Sequence, residues 1–200
     1  MNMEQYLKPV INDNRIMVFV DGSYDVKKRT GGSGQIIVIP HENTCTVRVI
    51  SKPVTKKRFI SMRNVVGELE GVLLATSFIV DNALRSSTKM PVPVDLYYDY
   101  TGIEEWALGK WKTNNEFTTF YKEYMVNMSQ HMELKFHKIK SHSGDFFNDN
   151  VDLLAKLAAF KEKEFVVTID DIEKDETSII KIISEIMDIP EIQKLKEMES

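Results

Sequence analysis

The chain has 200 residues, 42% of them hydrophobic, and a formal net charge of -4, which suits one core with an appendage. No apolar run nears the roughly 18 residues of a bilayer span, and Met1-Asn2-Met3-Glu4-Gln5 lacks the basic and apolar regions of a signal peptide. Cys45 is the only cysteine, so no intrachain disulfide can form and a cytoplasmic setting is expected.

In chain order, residues 1–14 form a lead, and 15–22 alternate and β-branch like a strand. Gly31-Gly32-Ser33-Gly34 reads as a hairpin turn, followed by strands from Gln35 to Pro40 and Thr44 to Val54. From about Asn64 to Leu84 the period becomes 3.6, with Val65, Leu69, Val72, Leu73, Thr76, Ile79 and Val80 on one arc. Ser86-Ser87-Thr88, Pro91 and Pro93 break the chain before a strand ending at Asp99. A short helix follows, with Thr101 as a candidate cap and Ile103, Trp106 and Ala107 as its apolar side. Another runs from Glu116 to Met132, then a strand from Glu133 to Lys140 and a helix from Asn148 to Glu162. The order describes a mixed sheet flanked by helices, with three antiparallel strands followed by βα crossovers. Residues 164–200 carry 11 of the 30 acids and 4 of the 26 bases, a local charge of -7, leaving +3 on the remainder. They read as a helical extension, with a start capped by Thr168 or Asp170 and a helix around Ser178 to Met187. Its Ile179, Ile180, Ile183, Ile186 and Met187 could pack on the domain, mediate dimerisation or bind another protein, and packing is favoured over an effect of the tail's charge.

Four carboxylates carry the functional argument. Asp21 ends Ile16-Met17-Val18-Phe19-Val20, and Asp99 ends Val94-Asp95-Leu96-Tyr97-Tyr98. Asp152 opens a helix, although acids in a first helical turn also serve its dipole. Glu68 lies about 60° from Val65 and 40° from Val72 on the apolar arc. No Lys or Arg stands three or four positions away, so burial there is costly unless a cation meets it. Glu70 points about 140° from Val65 and reads as solvated. Acids at two strand ends and on two helices converge only at a sheet rim, and four of them repel unless cations intervene. That outlines a two-metal site for phosphodiester chemistry. His142, in Lys140-Ser141-His142-Ser143-Gly144, sits where it could relay a proton to a leaving oxygen or help release product.

As an ordered set these segments resemble the ribonuclease HI family. Val20-Asp21-Gly22-Ser23 is similar to its first-strand motif, Gly67-Glu68-Leu69 to its helix glutamate, and Tyr98-Asp99-Tyr100 to its fourth-strand aspartate. The His142 loop, Asn148 and Val151-Asp152-Leu153-Leu154-Ala155-Lys156-Leu157-Ala158 resemble its histidine loop and final aspartate helix. The resemblance covers about residues 15–160 and implies a five-stranded sheet, a catalytic domain over 15–163 and an extension over 164–200. It implies Mg²⁺-dependent cutting of the RNA strand of RNA–DNA hybrids, with Mn²⁺ able to substitute. By position, Asp21, Glu68 and Asp99 would hold one ion, and Asp21 and Asp152 the second. One ion would lower the pKa of the attacking water and the other would stabilise the departing 3′ oxygen.

Three segments depart from the family pattern. Basic Tyr24-Asp25-Val26-Lys27-Lys28-Arg29-Thr30 replaces a Gly/Pro-rich loop, and the paired asparagines ahead of the helix glutamate reduce to Arg63-Asn64. The basic helical protrusion shortens to Ala107-Leu108-Gly109-Lys110-Trp111-Lys112-Thr113. Candidate substrate contacts are Ser23, Lys28, Arg29, Arg63, Asn64, Lys110, Trp111, Lys112, Lys140 and Asn148, with Lys27, Lys56, Lys57, Arg58 and Lys138 as further phosphate partners. Other readings are a DNA-processing nuclease or transposase core on the same fold, and a non-catalytic hybrid-binding module. The Glu68 setting and the His142 loop favour ribonuclease H over the first, and retention of all four acids disfavours the second.

Overall fold

The computed structural model describes residues 14–140 and 144–199. Strands β1 (Ile16–Asp25), β2 (Thr30–Pro40) and β3 (Thr44–Pro53) form an antiparallel meander. A 3-10 turn (Lys57–Met62) leads into α1 (Asn64–Arg85), followed by β4 (Val92–Tyr98), α2 (Gly102–Ala107), α3 (Glu116–Met128) and β5 (Met132–Lys138). Both β4 and β5 run parallel to β1, as βα crossovers require. The chain continues through α4 (Phe146–Lys161), β6 (Phe165–Glu173), α5 (Glu176–Met187) and α6 (Pro190–Glu199). The sheet order is β5-β4-β1-β2-β3-β6, six strands rather than five.

Strand alternation divides the core into two layers. Val18, Val20 and Ile37 face the side holding Leu69, Val72 and Ile79 of α1, Ile103 of α2, and Phe117 and Tyr121 of α3. Met17, Phe19, Ile36 and Val38 face Val151, Leu154 and Leu157 of α4.

The Gly31–Gly34 run is not a turn. It lies inside β2, and the turn comprises residues 26–29. There Asp25 accepts hydrogen bonds from the backbone N–H groups of Lys27 and Lys28, and Arg29 adopts φ 56°. The glycines serve helix approach instead. A Cβ on Gly32 would stand 2.2 Å from the Ala155 carbonyl oxygen, and one on Gly34 2.0 Å from that of Val151. The backbone of α4 therefore rests directly on β2.

The tail differs from an all-helical extension. Val166, Val167 and Thr168 pair antiparallel with Ile50, Val49 and Arg48, which makes β6 the sixth strand. Neither Thr168 nor Asp170 caps a helix: Thr168 accepts from Arg48, Asp170 accepts from Thr46, and Asp175 caps α5 through the Ser178 N–H. Ile179, Ile183 and Met187 are buried, together with Ile192 and Leu195 of α6, in the layer shared with α4. The tail's apolar face completes that core, while Ile180 and Ile186 are only partly covered.

Smaller differences have local causes. Thr101 makes no capping bond, because its hydroxyl meets Lys138. Helix α3 ends at Met128 rather than Met132, whose backbone pairs with Val92 in the sheet. Pro93 lies within β4 rather than ahead of it. Glu70 is buried at 4% exposure, accepting from the N–H groups of Thr55 and Lys56 and from the Thr55 hydroxyl. The segment after β3 folds over that side of α1, which periodicity within α1 alone could not reveal.

Candidate active site

Asp21 lies in β1 opposite Gly34 of β2. Phe19 of β1 is level with Tyr97 of β4, so Asp99, two residues beyond Tyr97, stands beside Asp21 at the same sheet rim. Glu68 arrives from the first turns of α1. That approach depends on glycine, since a Cβ on Gly22 would stand 2.3 Å from the Glu68 nitrogen, and one on Gly67 2.2 Å from the Gly32 carbonyl oxygen. Carboxylate oxygens of Asp21, Glu68 and Asp99 all lie within 4.8 Å of one another.

Asp152 comes from α4. The ring of Phe147 stacks on Phe19 at 4.3 Å, and Phe19 stacks on Tyr97 at 4.6 Å, which locks the start of α4 to the strands that carry Asp21 and Asp99. Buried Asp145 caps the helix, accepting from the Asn148 N–H at 2.9 Å. Asp152 is near enough for its charge to be felt by Asp21, but it stands outside the three-acid group. Its Oδ2 accepts from Lys156 Nζ at 2.7 Å.

The electrostatics of the cluster are unfavourable without a cation. Burial, then the charge of Asp99, and also that of Asp152, push the Asp21 carboxyl up from 3.8 to about 7. Burial, followed by the charge of Asp21, raises Glu68 well above the ordinary glutamate range. Glu68 is 1% exposed, and its Oε2 is buried without a hydrogen-bond partner. Three clustered carboxylates, a Glu68 oxygen buried without a hydrogen-bond partner, and oxygen as the only donor type fit a hard divalent cation such as Mg²⁺.

The remaining sequence candidates fall in several places. His142 lies outside the described residues, while Lys140 just before it is exposed. Ser23 and Asn148 are buried near the cluster's two supports, β1 and the start of α4. Arg63 and Asn64 are exposed at the α1 terminus, with Arg63 at φ 58°. Arg29 is exposed, whereas the neighbouring Lys28 donates to the Phe160 carbonyl at 2.6 Å. Lys110 pairs with Glu104 at 3.0 Å and Glu105 at 3.3 Å, while Lys112 is exposed. Trp111 is 40% exposed and stands edge-on to Trp106 at 5.5 Å.

Two site neighbours escaped the sequence reading. Tyr100 feels the charge of Glu68, and its ring lies against Gly102 and beside Trp106. Its place immediately after Asp99 was the available signal. Lys156 stands four residues after Asp152, the spacing of a helical ion pair.

Comparison with known proteins agrees with this fold. The RNase H family model matches residues 13–160. The Ribonuclease H of Ehrlichia ruminantium is 27% identical over 152 residues, covering 72% of this chain and 93% of that protein. The structure of LC11-RNase H1 in complex with an RNA/DNA hybrid has a TM-score of 0.54 at 18% identity, covering 74% of this chain and 99% of that one. LC9-RNase H1 has a TM-score of 0.55 at 16% identity, covering 90% of this chain and 84% of that one.

Proposed function

The chain belongs to the ribonuclease H family, and from that membership we propose that it hydrolyses the RNA strand of RNA–DNA hybrids using two divalent ions, Mg²⁺ by preference. The observation that carries the proposal is the Asp21–Glu68–Asp99 cluster with its buried, unpartnered Glu68 oxygen. Asp21, Glu68 and Asp99 would hold one ion, and Asp21 with Asp152 the second. Bound there, the ions supply acidity to the attacking water and offset charge on the departing oxygen.

The chain's own residues supply position and proton handling. The sheet rim fixes Asp21 and Asp99, and the glycine contacts fix Glu68, so the acids need little rearrangement to receive cations. His142 serves as the proton carrier for the leaving oxygen. Exposed Lys27, Arg29, Lys56, Lys57, Lys112 and Lys140, and Arg58 beside its ion pair with Glu116, offer charge to the phosphate backbone, which makes binding salt-dependent. Lys28 and Lys110 contribute less, because protein acceptors already engage them. Ser23, Arg63, Asn64, Trp111 and Asn148 are the candidates for sugar and base-edge contacts, where the ribose 2′-hydroxyl distinguishes RNA from DNA. Residues 15–163 form the catalytic unit, and 164–200 act through packing rather than chemistry. Among the described residues no helix is long and apolar enough to cross a membrane.

The test is incubation with labelled hybrid, duplex RNA, duplex DNA and single strands, with Mg²⁺ or with chelator, beside the Glu68→Gln variant. Metal-dependent loss of the RNA strand of the hybrid, absent in the variant, is expected. Equal cleavage in chelator, or cleavage of duplex DNA alone, would sink the proposal.

A further inference from the structure

Three of the four acids face one another, but Asp152 does not join them. Its carboxylate is engaged by the ammonium of Lys156 one helical turn later, at 2.7 Å. Both side chains are largely shielded, at 20% exposure for Asp152 and 17% for Lys156, so this pair is screened less than a surface pair. The ammonium therefore balances a charge that would otherwise add to the repulsion among the other three acids.

We propose that Lys156 is a positioning residue that holds Asp152 as an internal counter-ion and competes for it with the second cation. The inference rests on the two-ion reading above. Its consequence is ordered loading. The first ion enters the Asp21–Glu68–Asp99 cluster, where burial and an unpartnered oxygen favour it. The second must share Asp152 with an ammonium already bonded to it, so that site fills at higher cation concentration. Lysine suits this role because its flexible stem can swing the charge aside without breaking α4.

The experiment uses Mn²⁺ alone, without nucleic acid, on the full chain. Binding is followed by calorimetry, and thermal melting is followed with and without the ion, in the wild type, Lys156→Met and Lys156→Arg. The wild type should show a tighter and a weaker site. Lys156→Met should tighten the weaker site on the order of tenfold, an ordinary size for coupling between neighbouring sites, and leave the tighter one unchanged. Its melting temperature should fall below wild type without Mn²⁺, and the deficit should shrink at saturation, because the ion replaces the missing charge. Lys156→Arg should resemble wild type in both measurements. A wild type that takes up a single ion overturns the two-ion reading and this inference together. Two sites with the weaker one unchanged or loosened in Lys156→Met overturn this inference alone. A melting deficit that persists undiminished at saturation, or Lys156→Arg behaving like Lys156→Met, reduces the pair to a structural one and also overturns it.

Discussion

Replacing Asp21 with asparagine should stabilise the metal-free protein, by an amount that depends on pH. The Asp21 carboxyl has an ordinary value of 3.8 and is pushed up to about 7 in the folded chain. Because the folded value is the higher one, the native state holds a proton that the unfolded chain releases. Below about pH 4 both states are protonated at this position and the group costs nothing. Between about pH 4 and 7 folding must take up a proton, at about 1.4 kcal/mol per pH unit. Above 7 the native carboxylate is ionised as well, and the penalty levels off at about 4 kcal/mol. Asparagine keeps the size and carries no charge, although its amide must find partners where a carboxyl stood. A net gain at pH 8 on the order of 2–4 kcal/mol is expected, which at about 2–4 °C per kcal/mol raises the melting temperature by roughly 4–16 °C. Urea unfolding of both proteins in chelator, across about pH 4 to 8, measures the difference directly. Saturating Mg²⁺ should stabilise the wild type and narrow the gap, since the ion binds the native state selectively. A difference that stays flat with pH, or an asparagine variant less stable than wild type at pH 8 in chelator, would refute the reasoning.

Other perturbations test the supports of the site. His142→Ala should slow hybrid cleavage on the order of 10²-fold while leaving calorimetric Mn²⁺ affinity unchanged; lost metal binding would make it a ligand instead. Gly34→Ala places a methyl 2.0 Å from the Val151 carbonyl oxygen. It should destabilise by about 3 kcal/mol and, by lifting α4, lower turnover, read by denaturant melts and cleavage rates; a stable, fully active variant would contradict the packing argument. Ile183→Ala, at a fully buried tail position, should cost about 2–5 kcal/mol with little change in the salt dependence of KM. Unchanged melting with a salt-sensitive KM would mean that the tail acts by charge.

Much of the site was legible in the residues because its signals are local. Aspartates that close apolar runs, and a glutamate on an apolar arc without a basic neighbour, need only the period of the chain to be noticed, although β1 runs on to Asp25 and so holds Asp21 within the strand rather than at its end. The same holds for the alternation of β and α elements after the meander. Local signals failed where a distant segment decides the outcome. Gly31-Gly32-Ser33-Gly34 satisfies every preference of a turn, yet α4, more than a hundred residues later, requires that bare backbone within β2. Glu70 has the angular position of a solvated residue, and becomes buried because the segment after β3 returns to bond it.

The sequence by itself determined which acids are present, their order and the kind of element that carries each, since those follow from residue identity and periodicity. Tertiary structure decided which of them meet. Parallel pairing of β1 and β4 brings Asp21 and Asp99 level, and glycine contacts bring in Glu68. The tail likewise became a sixth strand because β3 offered an unpaired edge, whose backbone groups bond most readily to another extended segment. Asp152 is the clearest division between the two. Its place one turn before Lys156 was written in the chain, but only the fold leaves that pair largely shielded and keeps Asp152 within electrostatic reach of Asp21. Burial weakens solvent screening, so charges that would be indifferent in an isolated helix interact strongly in the fold.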